Sequence, residues 1–368
     1  MKISVPLEKS KTESRVSLVP NVVASLVKSG HEISLVDKAG EKAGYPNESY
    51  VTAGASIISP KDIATSDLVT YISKPQIFDQ FREHQIVLSV FGTRSNPQIM
   101  SKINKSKITA LDMELLPRIS RAQGMDALSS QASIAGYKAA ISVANELGIY
   151  LPMMMTAAGT VRPAKILVLG AGVAGLQAIA TCRRLGAMVS GFDVRTSAGE
   201  QIESLGAKFI HPDTINDAEN RSGYAREQSD DEQTVQRTFL SDFTTNSDGV
   251  ITTAAIPGKP APLLITEEMI KKMSPGSVIM DLAGESGGNV EVSDPGNIVI
   301  SNGVKIICPK NLPSSMPKVA SDLYAKNVMR LLELITDKNG DISIDLNDEI
   351  IDSICVAHKG QPRHTEKG

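Results

Sequence analysis

The chain has few of the residues that build metal sites and disulfide frameworks. It contains no tryptophan, three cysteines and five histidines in 368 residues. Cys182, Cys308 and Cys355 lie far apart, so they indicate neither a disulfide framework nor a thiolate cage, and a reducing compartment suits them. The histidines show no metal-ligand spacing, and no Ser or Cys lies in a nucleophile elbow. The sequence therefore predicts no metal site and no covalent hydrolytic chemistry.

The chain also lacks a charge excess and a long apolar run. Its formal net charge is −3, and its Lys and Arg residues are scattered, which argues against nucleic acid or an acidic membrane surface as a direct partner. The start of the chain has no apolar signal core. The uncharged stretch Leu147 to Val161 contains Gly and Pro and is shorter than the ~20 apolar residues of a spanning helix. We expect a cytoplasmic chain without direct membrane insertion.

Short apolar runs of strand type alternate with runs of helical type along most of the chain. In the first 110 residues the predicted strands are Lys2 to Val5, Glu32 to Val36, Ala55 to Ile58, Leu68 to Ile72, Ile86 to Phe91 and Lys107 to Ala110. Further along they are Ile166 to Leu169, Met188 to Asp193, Gly249 to Thr252 and Ser277 to Asp281. Such alternation is typical of parallel, doubly wound sheets.

The pattern predicts an α/β protein with two Rossmann-like domains joined by long linking helices. The first domain is expected to be discontinuous, with residues 1–126 plus 321–368, followed by a linking helix over 127–148 and a second domain over 149–320. A second long helix is predicted from Ser321 to Ile335, where apolar residues recur at helical spacing. Residues 341–356 alternate as strands do.

A glycine-punctuated turn at the start of the second domain predicts a dinucleotide site. Gly170, Gly172 and Gly175 follow an apolar strand and precede an amphipathic helix, and Asp193 comes about 20 residues later. The glycines permit a tight turn, close approach of a pyrophosphate and helix–strand packing, while the helix N-terminus attracts the phosphates. The predicted binding residues are Gly170, Ala171, Gly172, Val173, Gly175, Asp193, Val194 and Arg195.

The choice of coenzyme depends on two residues at the end of the second strand of this unit, Asp193 and Arg195. Asp193 is expected to bond a ribose 2′-hydroxyl and to repel a 2′-phosphate, which favours NAD over NADP. Arg195 keeps the alternative open, because an arginine at this place accommodates a phosphate. A solvated loop charge is the other interpretation of Arg195.

The polar segment from Pro117 to Asp126 lies between a predicted strand and the first linking helix. Ligands of open α/β sheets bind at the carboxyl ends of strands and often between domains, so we expect NAD(H) in an interdomain cleft with this segment at its nicotinamide end. The alternative is a surface loop in which Asp126 caps the helix.

A long polar segment interrupts the second domain over 213–238. Loops of this length in compact domains are usually functional or disordered. We predict a mobile lid around Asn220 to Glu227 that closes over bound nucleotide. A solvated excursion without a role is the alternative.

Several longer strings resemble one family over nearly the whole chain. The segments Val5 to Glu8 and Glu13 to Pro20 resemble a signature shared by nicotinamide nucleotide transhydrogenases and alanine dehydrogenases. The strings Pro117 to Asp126, Met153 to Thr160 and Ile256 to Pro262 are similar to transhydrogenases in particular. The chain thus resembles the NAD(H)-binding domain I, carried by the alpha subunit, of the proton-translocating transhydrogenases, which are related to alanine dehydrogenase.

The resemblance assigns roles to matching positions. It implies that one loop holds the dihydronicotinamide and its ribose, that Gln123 bridges toward NADP on a separate domain, and that Tyr224 in the mobile loop closes onto NAD(H). The implied catalytic residues are Arg118, Gln123, Asp126 and Tyr224. The further implied nucleotide contacts are Ile119, Ser120, Ser129, Gly223, Gln236 and Ala255.

The resemblance also implies an activity and partners. It implies direct hydride transfer between NADH here and NADP⁺ on a partner subunit, coupled to proton translocation by membrane-spanning subunits. A homodimer, peripheral on the cytosolic face of the inner membrane, is implied as well.

Two other functions remain in view. A soluble alanine or amino-acid dehydrogenase would hold its keto acid with Arg15 and Lys74, but the segment Val90 to Arg94 lacks the histidine that such chemistry needs, and Glu285 stands in the region of the expected aspartate. Arg15 and Lys74 would then be structural remnants. A non-catalytic NAD-binding module is the alternative from outside the enzymes.

Overall fold

The structure is a computed structural model that describes residues 1–94, 96, 98–212, 226, 229–256, 258–337 and 340–363. The chain divides into two compact units. The first unit consists of Met1–Gln131 and Pro313–Gly368, and the second of Ala132–Leu312. Each unit is an α/β unit with its own large sheet.

The strands in chain order are Lys2–Val5 (β1), Glu32–Val36 (β2), Ser56–Ile58 (β3), Leu68–Ser73 (β4), Ile86–Val90 (β5), Thr109–Asp112 (β6), Met154–Thr156 (β7), Gly159–Val161 (β8), Lys165–Leu169 (β9), Met188–Phe192 (β10), Lys208–Phe209 (β11), Gly249–Thr252 (β12), Val278–Asp281 (β13), Ile298–Ser301 (β14), Val304–Ile307 (β15), Cys355–His358 (β16) and Gln361–Pro362 (β17).

The α-helices in chain order are Pro20–Lys28 (α1), Asn47–Thr52 (α2), Gln98–Ser106 (α3), Ala127–Glu146 (α4), Val173–Arg184 (α5), Ala198–Ser204 (α6), Asp230–Thr245 (α7), Glu267–Lys272 (α8), Pro317–Leu334 (α9) and Glu349–Ile354 (α10). A 3₁₀ helix, Ser120–Met125, precedes α4.

Within the described residues the first unit contains a sheet of eight strands in the order β17-β16-β6-β5-β4-β1-β2-β3. Strands β1 to β6 pair in parallel, and β16 is antiparallel to β6. Strands β4 and β6 read as continuous apolar or small-residue runs because both faces of a parallel sheet are covered. The carboxyl ends of the parallel strands therefore meet along one edge.

The second unit contains, in the part of the chain described, a sheet in the order β11-β10-β9-β12-β13-β15-β14. All neighbours pair in parallel except β14 with β15. The order reverses between β9 and β12, which is the switch point at which doubly wound sheets bind nucleotides. The predicted fold class, two α/β units with parallel sheets, is confirmed.

The strand prediction over 341–356 is wrong for most of its range, because residues 341–348 contain only an isolated bridge at Ile342 and strand β16 begins at Cys355. Residues Glu349–Ile354 form helix α10. Asp348 is the N-cap of this helix, because its side chain accepts hydrogen bonds from the backbone N–H groups of Ile350 and Ile351. Ile350, Ile351 and Ile354 lie at helical spacing and are buried, so the apolar pattern of this short run reflects one face of a helix.

The polar segment predicted as a loop over 213–238 is helical at its C-terminal end. Helix α7 begins at Asp230, and Ser229 and Glu232 form a reciprocal capping box at its start. Residues 230–238 are therefore helical, and Gln236 lies on this helix with its side chain buried. Tyr224 and Gly223 lie outside the described residues.

One hairpin was missed from the sequence although its signal is present. Strands β14 and β15 are joined by Asn302 and Gly303, both with positive φ, at 51° and 77°. An Asn-Gly pair between apolar runs is the strongest short-range sign of a type I′ hairpin.

Of the two long helices predicted to link the domains, α4 crosses the boundary between the units and α9 does not. Helix α4 crosses the boundary between the units at residues 131 and 132, whereas α9 lies wholly within the first unit. The return crossing thus precedes α9, at residues 312 and 313. None of the helices in the described ranges has the length and apolar character needed to span a membrane.

Candidate nucleotide-binding site

The glycine turn, residues 170–175, follows β9 at the switch point of the second sheet. Gly170 has a φ of +97°, and a Cβ there would lie 2.7 Å from Thr253 Oγ1 and 2.9 Å from the Ala254 backbone nitrogen. A Cβ on Gly175 would lie 1.8 Å from the carbonyl oxygen of Gly170. Both positions therefore need glycine for reasons of conformation and packing within the protein.

Gly172 differs from the other two glycines. Its φ of −76° suits any residue, and a Cβ there would meet nothing within 4 Å. It is the N-cap of α5, and no side chain caps that helix. A helix N-terminus with glycine at its N-cap is a site for an anion such as a pyrophosphate, because backbone N–H groups and the helix dipole point toward it. The turn has the shape that the dinucleotide prediction requires.

Asp193 lies directly after β10, and its carboxylate is engaged from two sides. One oxygen accepts a 2.7 Å hydrogen bond from the Ala171 backbone N–H. The Arg195 guanidinium donates to both oxygens at 2.9 Å, and the Arg195 backbone N–H adds a further bond. Arg195 is thus paired with the carboxylate and is not a solvated loop charge, and Val194 between them packs against the core.

The segment after β12 forms the other side of the glycine turn. Thr253 Oγ1 donates to the carbonyl oxygen of Gly170 at 3.0 Å. Ala255 is exposed just beyond, at the start of the turn that leads to Pro262. The glycine turn and Ala255 are thus brought to one end of the second sheet, as expected for the carboxyl ends of its strands.

A buried polar network, which sequence reasoning missed, fixes this segment. The Asn289 carboxamide bonds both the N–H and the carbonyl of Ala254 and also the carbonyl of Pro262. The Asp281 carboxylate in turn accepts from the backbone N–H of Asn289 and from the hydroxyls of Thr252 and Ser293. No short motif marks these residues, since the partners lie 27 to 35 positions from Asn289.

In the first unit, the segment predicted to lie at the nicotinamide contains the 3₁₀ helix Ser120–Met125. Ala122 and Met125 are buried, whereas Ser120 and Gln123 are exposed. Residues three apart lie on the same side of a 3₁₀ helix, so Ser120 and Gln123 share one exposed side. Arg118 is exposed and Ile119 is partly buried against the core.

Asp126 caps helix α4. Its carboxylate accepts a 2.9 Å bond from the Ser129 backbone N–H and a bond from the Ser129 hydroxyl. Asn327 on α9 fixes the preceding loop by donating to the Gly124 carbonyl. The contacts of Asp126 are therefore those of a helix cap, and they hold Asp126 and Ser129 next to each other.

Arg15 is paired inside the first unit. Its guanidinium makes a two-point bond to the Glu13 carboxylate, at 2.8 and 2.7 Å, and donates to Gln131. The Arg15 and Glu13 side chains are 10% and 1% exposed. Lys74 is exposed. These contacts give Arg15 a structural partner of opposite charge.

Comparison with known proteins identifies the family. Residues 4–135 match the N-terminal domain of the alanine dehydrogenase/PNT family, and residues 139–365 match its C-terminal domain. The chain belongs to the alanine dehydrogenase/PNT family. Both matched regions together cover most of the chain, and the family resemblance seen in the sequence motifs is confirmed.

Individual members of the alanine dehydrogenase/PNT family show where the similarity is high. The chain is 44% identical to the first part of NAD(P) transhydrogenase subunit alpha of Rhodospirillum rubrum, over 99% of this chain and 98% of that one. It is 41% identical to NAD(P) transhydrogenase subunit alpha of Haemophilus influenzae, over 98% and 71%. A crystal structure of transhydrogenase from Sinorhizobium meliloti has a TM-score of 0.90 and 39% identity, covering 99% of this chain and all of the other.

Proposed function

We propose that this chain is the NAD(H)-binding subunit of a proton-translocating transhydrogenase. The observation that carries the proposal is the glycine turn, in which Gly170 and Gly175 have no room for a side chain while Gly172 faces open space at the N-terminus of α5. The relatives named as transhydrogenase alpha subunits support the same role. In this proposal the pyrophosphate of NAD(H) lies over Gly172, with Ala171 and Val173 beside it.

The contacts of Asp193 support NAD(H) rather than NADP(H) as the nucleotide bound here. A carboxylate directly after the second strand bonds ribose hydroxyls and repels a 2′-phosphate. Arg195 is committed to that carboxylate by two side-chain hydrogen bonds. A 2′-phosphate would have to displace this pair before it could use the guanidinium.

The loop of the first unit is proposed to orient the nicotinamide. Direct hydride transfer from NADH to NADP⁺ requires no proton-transfer group, only alignment of the two rings, which is worth roughly 7 to 11 kcal/mol in well-oriented reactions. Gln123 and Ser120 stand exposed on one side of the 3₁₀ helix, available to a ligand. Arg118, Asp126 and Ser129 complete the proposed loop site.

The remaining contacts proposed for NAD(H) come from the second unit. Ala255 is exposed at the end of the segment after β12. Tyr224 and Gly223 are proposed to close over the nucleotide, and Gln236 on α7 to support that closure.

The hydride acceptor and the membrane part are proposed to be other polypeptides. NADP(H) would be held by a partner subunit, and membrane-spanning subunits would couple hydride transfer to proton translocation. The chain would then be a cytoplasmic, peripheral component on the cytosolic face of the inner membrane through these partners.

A homodimer is supported by an apolar hairpin. Strands β7 and β8 form a two-stranded antiparallel ribbon in which all six residues are exposed. Met155 is 78% exposed, and Met153 and Tyr150 nearby are also exposed. An isolated hairpin is marginally stable, and exposed apolar clusters mark interaction sites. We therefore propose that a second copy of the chain packs against this hairpin.

Alanine dehydrogenase activity is less well supported. A keto acid would need the Arg15 guanidinium, which is held by Glu13 at two points. The segment Val90 to Arg94 supplies no histidine to move a proton.

Reconstitution tests the proposed function. The purified chain is mixed with membrane and NADP-binding transhydrogenase subunits, and hydride transfer from NADH to an NADP analogue is measured. We expect transfer only in the mixture, and a Gln123→Asn variant that transfers far more slowly while its NADH affinity changes little. Oxidation of L-alanine by the chain alone, or no transfer in the mixture, would reject the proposal.

A further inference from the structure

The buried side chain of Asn289 holds both ends of the segment that borders the glycine turn. Its Oδ1 accepts from the Ala254 backbone N–H at 3.1 Å, and its Nδ2 donates to the carbonyls of Ala254 at 2.9 Å and Pro262 at 2.8 Å. The 254–262 segment therefore begins and ends on one carboxamide. A further bond, from Ala261 N–H to the Ser286 carbonyl, lies near its second end.

The chemistry of these bonds requires an amide. A carboxamide offers an acceptor and two donors in one plane, and here it pairs with the peptide group of Ala254 as a neighbouring strand would. An aspartate at this position would accept from Ala254 N–H but would place an unprotonated oxygen against two carbonyl oxygens. The side chain of Asn289 has no exposed surface, so water cannot replace the lost donors.

Asn289 is itself fixed on both sides of its backbone. Its N–H donates to Asp281 at 3.0 Å, and its carbonyl accepts from Leu264 and Ile265. Asp281 is fully buried and also accepts from the Thr252 hydroxyl at the end of β12. The carboxamide is therefore a rigid support for Ala254.

The position of Ala254 matters to the glycine turn. The Ala254 nitrogen lies 2.9 Å from the place where a Cβ on Gly170 would be, so the two backbones are in close contact. The next residues, Ala255, Gly258, Lys259 and Pro260, are exposed. Their placement depends on the anchored ends of the segment, because their side chains are not buried in the core.

We propose that Asn289 is a positioning residue for nucleotide binding, which acts by holding the 254–262 segment against the glycine turn. The proposal rests on the proposed function, since it takes the glycine turn and Ala255 as the NAD(H) site. Asn289 has no contact with the nucleotide in this proposal and acts through Ala254.

The test compares NADH affinity with folding stability. The dissociation constant of NADH is measured by calorimetry for the intact chain and for Asn289→Asp and Asn289→Ser, together with the free energy of unfolding and the rate of hydride transfer at saturating NADH in the reconstituted complex. Ile306→Ala is the control, because Ile306 is buried on β15, two strands away from β12 in the same sheet. It destabilises the same unit through a cavity.

The proposal predicts a split between affinity and rate. Asn289→Asp should raise the NADH dissociation constant about tenfold, Asn289→Ser by a smaller factor, and both should keep the saturated transfer rate within about threefold. Ile306→Ala should lose stability with the dissociation constant unchanged. A purely structural role would lower the amount of active protein without changing the affinity of the folded fraction.

Other results would reject either the role of Asn289 or the proposed function on which it rests. Folded Asn289 variants that bind NADH with wild-type affinity overturn it, as does an equal loss of affinity in Ile306→Ala. If Asn289→Asp does not fold, Asn289→Ser decides, and if neither folds the residue serves folding rather than nucleotide positioning. Failure of the wild-type chain to bind NADH would instead reject the proposed function.

Discussion

The Ala171 backbone N–H donates a 2.7 Å hydrogen bond to the Asp193 carboxylate, 22 residues further along the chain. This bond joins the turn after β9 to the end of β10. Because Arg195 binds the same carboxylate, one buried group contacts the glycine turn and also holds the arginine on which the proposed choice of coenzyme depends. Nucleotide binding can therefore be tested both at this carboxylate and at the turn.

Asp193→Ala is expected to change coenzyme preference. Loss of the carboxylate removes the proposed partner of the ribose hydroxyls and releases Arg195 for a 2′-phosphate. We expect NADH affinity to fall about tenfold or more and NADPH affinity to rise, both measured by calorimetry. The control is the double variant Asp193→Ala/Arg195→Ala, which should lose the gain for NADPH. Unchanged selectivity in Asp193→Ala would contradict the role of this carboxylate.

Gly172→Ala and Gly175→Ala should separate binding from folding. A Cβ on Gly172 meets no protein atom within 4 Å, so this variant should keep wild-type stability in urea denaturation but should bind NADH at least about tenfold more weakly, because the methyl group enters the space proposed for the pyrophosphate. A Cβ on Gly175 overlaps the Gly170 carbonyl, so that variant should be strongly destabilised. Wild-type NADH affinity in Gly172→Ala would show that the pyrophosphate lies elsewhere.

Arg15→Met should destabilise the first unit without weakening NADH binding. Removal of the guanidinium leaves the Glu13 carboxylate buried without its cation, which costs roughly 3 to 5 kcal/mol of unfolding free energy. The matched control is Lys326→Met, which breaks an exposed pair with Asp322 and should cost about 0.5 kcal/mol or less. Calorimetry of the folded Arg15→Met variant should give a wild-type dissociation constant, and a large loss of affinity would reinstate a ligand role for Arg15.

Glu8 should make stability depend on pH. Burial raises the pKa of Glu8 to about 7, and its carboxyl group bonds the Ile72 N–H and the Ser73 hydroxyl. Between about pH 4.5 and 7 the unfolded chain releases this proton while the folded chain keeps it, so this group's contribution to stability falls as pH rises, by an amount of order 3 kcal/mol at most.

Glu8→Gln removes that titration with little change of shape. The free energy of unfolding, measured by urea denaturation, should differ little between wild type and Glu8→Gln near pH 4.5. Near pH 8 it should be higher for the variant than for wild type by a few kcal/mol. A difference that is constant across this pH range would mean that Glu8 titrates normally.

Much of the fold was predictable because local signals and long-range packing agree. Most buried residues of β1, β2 and β4 are apolar because both faces of a parallel sheet are covered. The glycine turn was predictable because its three glycines lie within six positions and one steric limit, between Gly175 and the Gly170 carbonyl, is local. Helix α10 was missed because a run of six residues with three isoleucines fits both the helical and the strand periodicity.

The parts of the site that could not be predicted depend on distant partners. Nothing in the local sequence marks Asn289 as the partner of Ala254 and Pro262, or Gln131 as a partner of Arg15. Ordinary polar residues have these roles because the folded chain brings distant segments together. By contrast, the capping box at Ser229 and Glu232 is a local signal, and it would have shown that the polar segment predicted over 213–238 gives way to helix α7 at Asp230.

Isotope transfer tests most directly whether the chain delivers hydride to a nucleotide held by another subunit. NADH carrying deuterium at the transferred C4 position is mixed with NADP⁺, this chain and the NADP-binding and membrane subunits of a transhydrogenase, and the NADPH formed is analysed by mass spectrometry. We expect deuterium at C4 of NADPH, no loss of label to water, and no product when the NADP-binding subunit is omitted. Label that appears in water, or NADPH formed by this chain alone, would contradict direct transfer between subunits.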